Sequence, residues 1–441
     1  MDMQNKKAAL HSLGCKVNSY ETEAMKQLLE EAGYEIVPFA PGADIYIINT
    51  CTVTNIADRK SRQMLHKAKA MNPDAIVVAA GCYVQTGKEA LCSDEAVDLV
   101  IGNNCKQNIA EAIQEYQADH RKQERYVSLG KGSPYEELYL HQPGDHVRSF
   151  IKISDGCNQF CSYCLIPYAR GRVRSRKPED ILEEIRVLTG KGCKEVVLTG
   201  IHVSSYGTDF EKGQETSLIS LIEAVCEIDT VERVRLSSLE PRIVTEEFAE
   251  RLASLPELCP HFHLSLQSGC DATLARMNRR YTSQEYAEKV RLLRKVFDHP
   301  SLTTDVIVGF PGETTEEFQE SYDFIKQIRF YETHIFKYSR RDGTRAASMP
   351  GQIREAKKGE RSDLLLALNQ TRIHEFEEEM IGKKVSVLFE EEKRIGDEIF
   401  LIGHSKEYVP AAMPKTDGLC VNQIIEAQVQ GFLGEHLLLV E

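Results

Sequence analysis

Apolar positions along this 441-residue chain follow two periods in turn. Short apolar runs at residues 7–13, 44–49 and 75–80 have the length and β-branched content of strands. The stretch 21–31 has helical spacing instead, with Met25, Leu28 and Leu29 on one face and Gly33 as its stop. Strand-like and helical runs in alternation predict a parallel α/β sheet. A polar stretch holding Gly130, Gly132, Pro134, Pro143 and Gly144 reads as a linker. The βα rhythm then resumes, with strand-like runs at 150–154, 195–199, 233–237, 261–266, 303–308 and 333–338. Helical patterns at 178–189, 283–296 and 315–327 lie between them. Six such units predict a partial, open (β/α)6 barrel of the TIM type. A charged helix-like stretch, 354–379, leads to five short strands at 384–389, 398–403, 408–413, 423–430 and 436–440. Five strands with turns predict a small Greek-key barrel of the OB type. The expected organisation is 1–117, a linker 118–145, a core 146–376 and an end domain 377–441.

Composition narrows the class. No apolar run approaches the roughly 18 residues that would span a bilayer, so no membrane partner is expected. The N-terminus lacks a signal-type apolar region. Thirteen cysteines then point to a reducing cytoplasm and to metal or thiol chemistry, and an odd count argues against a closed disulfide framework. The net charge of −13 argues against nucleic acid as a partner of the whole surface. The charge is unevenly spread, however: residues 377–441 hold 13 acidic against 6 basic groups. Basic runs stand in the middle, at Arg170, Arg172, Arg174, Arg176 and Lys177, at Arg276, Arg279 and Arg280, and at Lys337, Arg340, Arg341 and Arg345. Such runs are usually solvated faces, but each of these follows a strand end or the cysteine-rich loop.

Cys157, Cys161 and Cys164 form the pattern CxxxCxxC. Three thiolates hold three irons of a cubane cluster that would otherwise take four, leaving one iron open. An amino acid chelating through its amine and carboxylate suits that vacancy, as S-adenosylmethionine does. A zinc site is the alternative, but zinc favours four ligands, often in CxxC or Cys/His knuckles, and no fourth lies nearby. A second set follows from topology. Cys15, Cys51 and Cys82 each end one of the first three strands, and a parallel sheet gathers strand ends on one edge. Small buried thiols are the alternative reading of these three. Cys92, Cys105, Cys193, Cys226, Cys259, Cys270 and Cys420 lack such an arrangement and read as structural.

Several runs resemble the methylthiotransferase family of radical S-adenosylmethionine enzymes over essentially the whole chain. They are Gly14-Cys-Lys-Val-Asn-Ser-Tyr-Glu-Thr-Glu, Asn49-Thr-Cys-Thr-Val-Thr, Gly81-Cys82, and the long run from Asp155 through Cys157, Cys161, Tyr163 and Cys164 to Arg172. Leu198-Thr-Gly-Ile-His, Leu266-Gln-Ser-Gly, Met277-Asn-Arg-Arg-Tyr-Thr, Asp305-Val-Ile-Val-Gly-Phe-Pro-Gly-Glu and Tyr338-Ser-Arg-Arg-Asp-Gly-Thr complete the set. The resemblance is strongest to the bacterial branch acting on N6-threonylcarbamoyladenosine beside the tRNA anticodon. The branch acting on isopentenyladenosine typically reads Gly-Cys-Gln-Met-Asn at the first motif.

The resemblance implies an N-terminal cluster domain, a radical core and a C-terminal TRAM domain. It implies two 4Fe-4S clusters, one at Cys157, Cys161 and Cys164 that cleaves S-adenosylmethionine, and one at Cys15, Cys51 and Cys82 that carries sulfur. A 5′-deoxyadenosyl radical would activate adenine C2, and a methylthio group would join there. Because both must reach one carbon, the edge bearing Cys15 is expected to face the barrel mouth. Tyr163, Gly200, Ser238, Gln267 and Asp305 are the expected cofactor contacts, and Arg170, Arg172 and Arg174 the expected RNA-phosphate contacts. The implied partners are the tRNA anticodon loop, a low-potential electron donor such as flavodoxin, and a sulfur source. Other readings are a methylthiotransferase for isopentenyladenosine or for a ribosomal protein, an iron–sulfur electron carrier, and a zinc-binding tRNA-associated module.

Overall fold

The computed structural model describes residues 6–144, 147–211 and 216–441. In the first part follow β1 (Lys7–Ser12), α1 (Lys16–Glu31), β2 (Glu35–Ile36), β3 (Ile45–Thr50), α2 (Asn55–Met71), β4 (Ile76–Gly81), α3 (Cys82–Cys92), β5 (Leu99–Ile101), α4 (Ile109–Asp119) and β6 (Gln123–Arg125). The strands form one parallel sheet in the order β2-β1-β3-β4-β5-β6. Helices cover both faces, so β3 is buried along its whole length and reads as a continuous apolar run. Ile45, Ile47 and Val78 pack with Met25 and Ile113 on one face, and Tyr46, Ile48 and Val77 with Leu65 and Tyr83 on the other. The polar stretch read as linker supplies β6, and its Leu138 and Leu140 enter the core of the next part. Isolated apolar residues among Gly and Pro carry no period, which is why composition alone shows only a linker there.

The second part contains β7 (Arg148–Asp155), α5 (Ile166–Ala169), β8 (Arg174–Ser175), α6 (Pro178–Gly190), β9 (Glu195–Gly200), α7 (Leu218–Cys226), β10 (Arg233–Leu236), α8 (Glu246–Ala253), β11 (His261–His263), α9 (Asp271–Arg276), α10 (Ser283–Val296), β12 (Ser301–Val308), α11 (Thr315–Ile328) and β13 (Glu332–Lys337). Two parallel sets, β7-β9-β10 and β11-β12-β13, join through the bridges Val234↔Leu258 and Leu239↔Leu264 into a six-stranded arc. β8 runs antiparallel against the end of β7. Thr282 with Glu285, and Thr314 with Glu317, form capping boxes that start α10 and α11. Alternate residues such as Ile151, Ile153, Val196, Leu198, Val234 and Leu264 pack against the helices. The period of two turns the intervening Lys152, Glu195, Arg235, His263 and Asp305 toward the inside of the arc. That inner face is polar, unlike a barrel filled with branched apolar residues.

The long α12 (Glu355–Glu378) leads to β14 (Lys384–Ile395), β15 (Glu398–Ser405), β16 (Pro410–Pro414), β17 (Ile424–Gly434) and β18 (Leu437–Val440). They close into a barrel in the order β14-β15-β16-β18-β17, in which β16 and β18 pair in parallel. This small barrel stoppers the amino-terminal end of the arc. Arg233 Nη2 donates to Ser386 O at 2.7 Å and Arg235 Nη1 to Lys406 O at 2.9 Å. Tyr408 stacks on His261 with ring centroids 5.1 Å apart. The guanidinium carbons of Arg148 and Arg235 lie 4.9 and 4.7 Å from the Tyr408 ring centroid.

Two carboxylates hold this junction. Burial would raise the Glu195 carboxyl, but Arg235, then Arg148 and Arg233, bring it below its ordinary value. Burial likewise opposes Glu390, which His404 and Arg148 hold low. Groups with lowered folded values give stability that is complete above the unfolded carboxylate value of about 4.3 and is lost as pH falls below it. Hydrogen-exchange protection of residues 404–409 is therefore expected to drop below about pH 4, once corrected for intrinsic exchange. Equal protection factors at pH 6 and pH 3.5 would remove these pairs from the account of docking.

Candidate functional site

The loop after β7 is built around a glycine. Gly156 has φ +75, and a Cβ there would sit 1.9 Å from the Arg172 carbonyl oxygen. Cys157 N donates to Gly171 O at 3.0 Å and Cys164 N to Cys161 O at 3.0 Å, which curls the three thiols into one concave turn. Residues remote in sequence clamp it. Asn278 Nδ2 donates to Phe160 O at 2.9 Å, Ser162 N to Met277 O at 3.0 Å, and Ala346 N to Ser162 O at 2.7 Å. Ser162 is buried, so its hydroxyl needs the partner it finds in Arg276 O at 2.8 Å. Tyr163 packs edge-on to Phe310, ring centroids 6.3 Å apart, against an apolar cluster of Met277, Tyr338 and Ala346. Burial pushes the Cys157 thiol up to about 11 and the Cys164 thiol up to about 12. Loading metal would thus release protons and draw binding energy from the metal–thiolate bonds. Arg279 Nη1 donates to Cys161 Sγ at 3.3 Å, a cation placed where thiolate charge would gather.

The second set converges as the topology requires. Cys15 caps α1, Cys51 follows β3, and Cys82 opens α3. Gly14, with φ +103, lets Cys51 approach so closely that a Cβ would meet its Sγ at 2.9 Å. A Cβ on Gly81, with φ +94, would meet Asn49 Oδ1 at 2.4 Å and Thr50 O at 2.7 Å. Asn18 Nδ2 laces the strand ends together, donating to Leu13 O at 2.7 Å and Thr50 O at 3.0 Å. Burial pushes the Cys51 thiol up to about 12, and the neighbouring Cys82 and Cys15 add to the effect.

Arg170, just past the first loop, reaches the second set. Its Nε donates to Cys82 Sγ at 3.0 Å, Nη1 to Glu21 Oε1 at 2.8 Å and Asp155 Oδ1 at 3.1 Å, and Nη2 to Asn18 Oδ1 at 2.7 Å. Lys152 Nζ lies 2.8 Å from Glu21 Oε1 and 2.9 Å from Asp155 Oδ2, and Lys106 Nζ lies 3.1 Å from Glu21 Oε2. Burial opposes charge on Glu21, but Arg170, Lys106 and Lys152 hold its carboxyl well below the usual range. The Cys15 edge thus meets the carboxyl end of the arc, on the side of the Cys157 loop.

This arrangement corrects two of the expected phosphate contacts. Arg170 is 0% exposed and Arg174 4%, and Arg174 Nη1 donates to Arg170 O at 2.7 Å. The short return strand β8 folds the basic run back onto β7, so these two guanidiniums neutralise buried carboxylates. Neither reaches a phosphate. Arg172 remains exposed, with its guanidinium carbon 4.3 Å from the centroid of the Phe160 ring. Similarly, Arg341 is buried on Asp58, 2.6 Å away, and on Thr52 Oγ1 at 2.9 Å, tying the arc to the N-terminal sheet. Lys177, Arg280, Lys337, Arg340 and Arg345 are exposed.

The expected cofactor contacts are scattered along the mouth of the arc. Gly200 ends β9 and crowds Ser154, since a Cβ would meet Ser154 Oγ at 2.4 Å, so packing alone accounts for glycine there. Ser238 is exposed just past β10. Gln267 takes φ +73, and its backbone N donates to Asp305 O at 2.8 Å. Asp305 Oδ2 lies 3.3 Å from His263 Nε2. Among the described residues, His263, Asp305 and His334 alone bring three ligand-type atoms within 4.8 Å of one another, a donor set that suits a small cation. Neither cysteine set is that tight. Thiolates on one tetrahedral zinc would stand only about 3.8 Å apart, so neither set is drawn to the spacing of a single zinc ion.

Residues missed in the sequence include Asn18, Glu21, Lys106 and Lys152, and Arg279 stands there only as part of a basic run, without its place at Cys161. Glu21 reads as one of several acidic residues on a solvated helix face. Lys152 was the better signal, a charge in the middle of an otherwise apolar strand.

The comparisons agree with this construction. The Radical SAM superfamily profile matches residues 151–325, and that of Uncharacterized protein family UPF0004 matches residues 7–102. The chain is 39% identical over 422 residues to Threonylcarbamoyladenosine tRNA methylthiotransferase MtaB of Bacillus subtilis (strain 168), covering 96% of this chain and 93% of the relative. It is 42% identical to the MtaB of Aquifex aeolicus (strain VF5), covering 90% and 95%. It is 36% identical to tRNA-2-methylthio-N(6)-dimethylallyladenosine synthase of Pelotomaculum thermopropionicum, covering 98% and 97%. A radical S-adenosylmethionine methyltransferase, TsrM, from Kitasatospora setae shares the fold at TM-score 0.56 and 16% identity, over 78% of this chain and 74% of that one. No described helix is long and apolar enough to cross a membrane. With relatives of this identity over nearly its full length, the chain belongs to the tRNA methylthiotransferases of the radical S-adenosylmethionine superfamily.

Proposed function

We propose that this enzyme places a methylthio group on C2 of N6-threonylcarbamoyladenosine beside the tRNA anticodon. The observation that carries the reading is the buried Arg170, just past the first three-thiol loop, donating to Cys82 of the second thiol set, in a chain 39% and 42% identical to the MtaB enzymes. The donor sets fit two 4Fe-4S clusters, each with one iron left open. Cys157, Cys161 and Cys164 would hold the first, and Cys15, Cys51 and Cys82 the second. When bound, the clusters and S-adenosylmethionine supply the radical activation of an adenine C–H bond and the sulfur and methyl that replace its hydrogen.

The chain's own residues position these groups. Gly156 turns the first loop, and the remote clamps at Asn278, Met277 and Ala346 keep it from opening. Arg279 and Arg170 each aim an N–H at one cysteine sulfur, which stabilises thiolate charge and fixes the ligand's direction. Tyr163 serves as packing beneath the loop, and Gly200, Ser238, Gln267 and Asp305 stand at the mouth where S-adenosylmethionine would lie. A low-potential electron donor and a sulfur source complete the requirements.

A groove of about 950 Å³ beside the first loop is lined by residues 130–135, Asn158 and 172–175, by Lys177, and by the acidic Asp209 and Glu211. Arg172 and Lys177 are the candidate phosphate contacts there, on the way of a loop base splayed from its stack. Changing both to glutamine is expected to flatten the slope of log K against log salt by about 1.4, roughly 0.7 for each single-strand contact. An unchanged slope would take this groove out of the RNA path.

The proposal is tested by nucleoside mass spectrometry of total tRNA from cells lacking the gene and from complemented cells. The expected result is loss of 2-methylthio-N6-threonylcarbamoyladenosine with its precursor accumulating. Loss of only the isopentenyladenosine derivative would overturn the substrate, and an unchanged nucleoside profile would overturn tRNA as the target.

A further inference from the structure

Two histidines and a carboxylate meet on the inner face of the arc, and none of them belongs to a cysteine set. β11, β12 and β13 run in parallel, with His263 paired to Thr303 and Asp305 to His334. Neighbouring strands lie about 4.8 Å apart, and residues two apart on a strand share a face. Leu264, Val306 and Ile335, each next in sequence, pack into the apolar core on the helix side. The side chains of His263, Thr303, Asp305 and His334 are thereby left together on the inner wall.

Their spacing is that of ligands around one ion. His263 Nε2 stands 3.3 Å from Asp305 Oδ2, and an imidazole nitrogen and a carboxylate oxygen on one tetrahedral zinc stand about 3.3 Å apart. A ligand atom of His334 completes a set within 4.8 Å. The two imidazoles lie nearly parallel, with ring centroids 5.6 Å apart and planes 22° from each other. His263 Nδ1 lies 2.9 Å from Thr303 Oγ1. With Nδ1–H donating to that hydroxyl, Nε2 keeps its lone pair for an ion, the outer partner that metal-ligating histidines need.

Other demands on the three are weak. Among the described residues, Asp305 makes its one ion pair with His263, and His334 Nδ1 stands 3.6 Å from Glu332 Oε1. The contact of Asp305 with the strand end uses its backbone, whose carbonyl accepts from Gln267 N at 2.8 Å. His263 and Asp305 are half-buried and held by their strands, whereas His334 is exposed and can turn the remaining distance inward.

We propose that His263, Asp305 and His334 hold one divalent transition-metal ion on the inner wall of the arc. Two imidazoles and one carboxylate suit ions such as zinc, whereas calcium and magnesium prefer shells made of oxygen alone. Three protein ligands leave at least one position open toward the interior, for a nitrogen or oxygen donor of whatever occupies the arc. The site requires no particular RNA substrate, so it stands or falls apart from the substrate reading.

The test uses the full-length enzyme with both thiol sites reconstituted and loose iron removed by gel filtration. It is dialysed anaerobically against zinc, and zinc, iron and sulfide are counted by elemental and chemical analysis. The wild type is expected to take up about one zinc per chain, with a shell of nitrogen and oxygen by X-ray absorption at the zinc edge. His334→Gln changes an exposed side chain and His263→Gln a half-buried one. Both are expected to bind zinc at least about 100-fold more weakly with iron and sulfide unchanged, and Thr303→Val about 10- to 100-fold more weakly, the range for an outer partner. His66→Gln, at the exposed pair with Asp94, is the control and is expected to keep the zinc. Zinc retained in both His334→Gln and His263→Gln would be an adventitious ion only and overturns the proposal. Sulfur in the zinc shell, or zinc lost only together with iron, overturns it as well, as does a wild type that takes up no zinc.

Discussion

Methionine in place of Arg170 is expected to destabilise the enzyme by about 3 kcal/mol, the lower end of what breaking a buried ion pair costs. The lower end applies because Glu21 keeps Lys106 and Lys152, and Asp155 keeps Lys152 and Arg174. Urea unfolding of the cluster-free protein measures this directly, and a midpoint within error of the wild type would show that the network carries no stability through Arg170. Arg170→Lys separates charge from geometry, because an ammonium cannot reproduce the fork that reaches Cys82, Glu21, Asp155 and Asn18 together. In that variant a cluster held, as proposed, by Cys15, Cys51 and Cys82 is expected to be harder to reduce, its midpoint more negative by roughly 50 mV for the loss of one N–H to sulfur. Redox titration followed by EPR reads the shift, and a midpoint that does not move would detach Arg170 from the tuning of that site.

Alanine at position 156 is expected to empty the first thiol site. The left-handed backbone alone costs about 1–2 kcal/mol for a residue with a Cβ. The larger obstacle is the Arg172 carbonyl at 1.9 Å from that Cβ, because it belongs to backbone and cannot swing aside. The strand end and the return toward β8 must separate, carrying Cys157 away from Cys161 and Cys164. Iron after reconstitution is expected to fall from about eight to about four atoms per chain. Formation of 5′-deoxyadenosine should fall at least about 1000-fold. Gly190→Ala, where a Cβ meets nothing within 4 Å, serves as the control. Full iron in the Gly156→Ala enzyme would mean that the loop tolerates the displacement.

The elements were legible because their periods are strong. Residues 283–296 read as a helix and form α10 over the same span, and each of the six strand-like runs of the core contains or overlaps a strand of the arc. Length was less legible. β14 runs to Ile395, past the apolar stretch that ends at Phe389, because hairpin pairing with β15 extends it through charged residues. The second thiol site was legible from topology, since three cysteines at successive strand ends of a parallel sheet must share an edge. The basic run after the first loop misled. Its charges face inward, and only the antiparallel return of β8 onto β7 decides that Arg170 and Arg174 are buried while Arg172 is not.

The order of α/β part, open barrel and small β-barrel could be read along the chain because periodicity is a local property, while the class of chemistry came from the motifs that resemble the methylthiotransferases. Tertiary structure alone decided which charges are buried, since burial depends on what packs opposite a residue. Glu21 and Lys152 lie 131 positions apart in the chain yet share one ion pair. It also decided that Arg170, just past the first thiol loop, reaches Cys82 of the second thiol set. The docking of one edge against another fixes those relations, and no period along the chain encodes it.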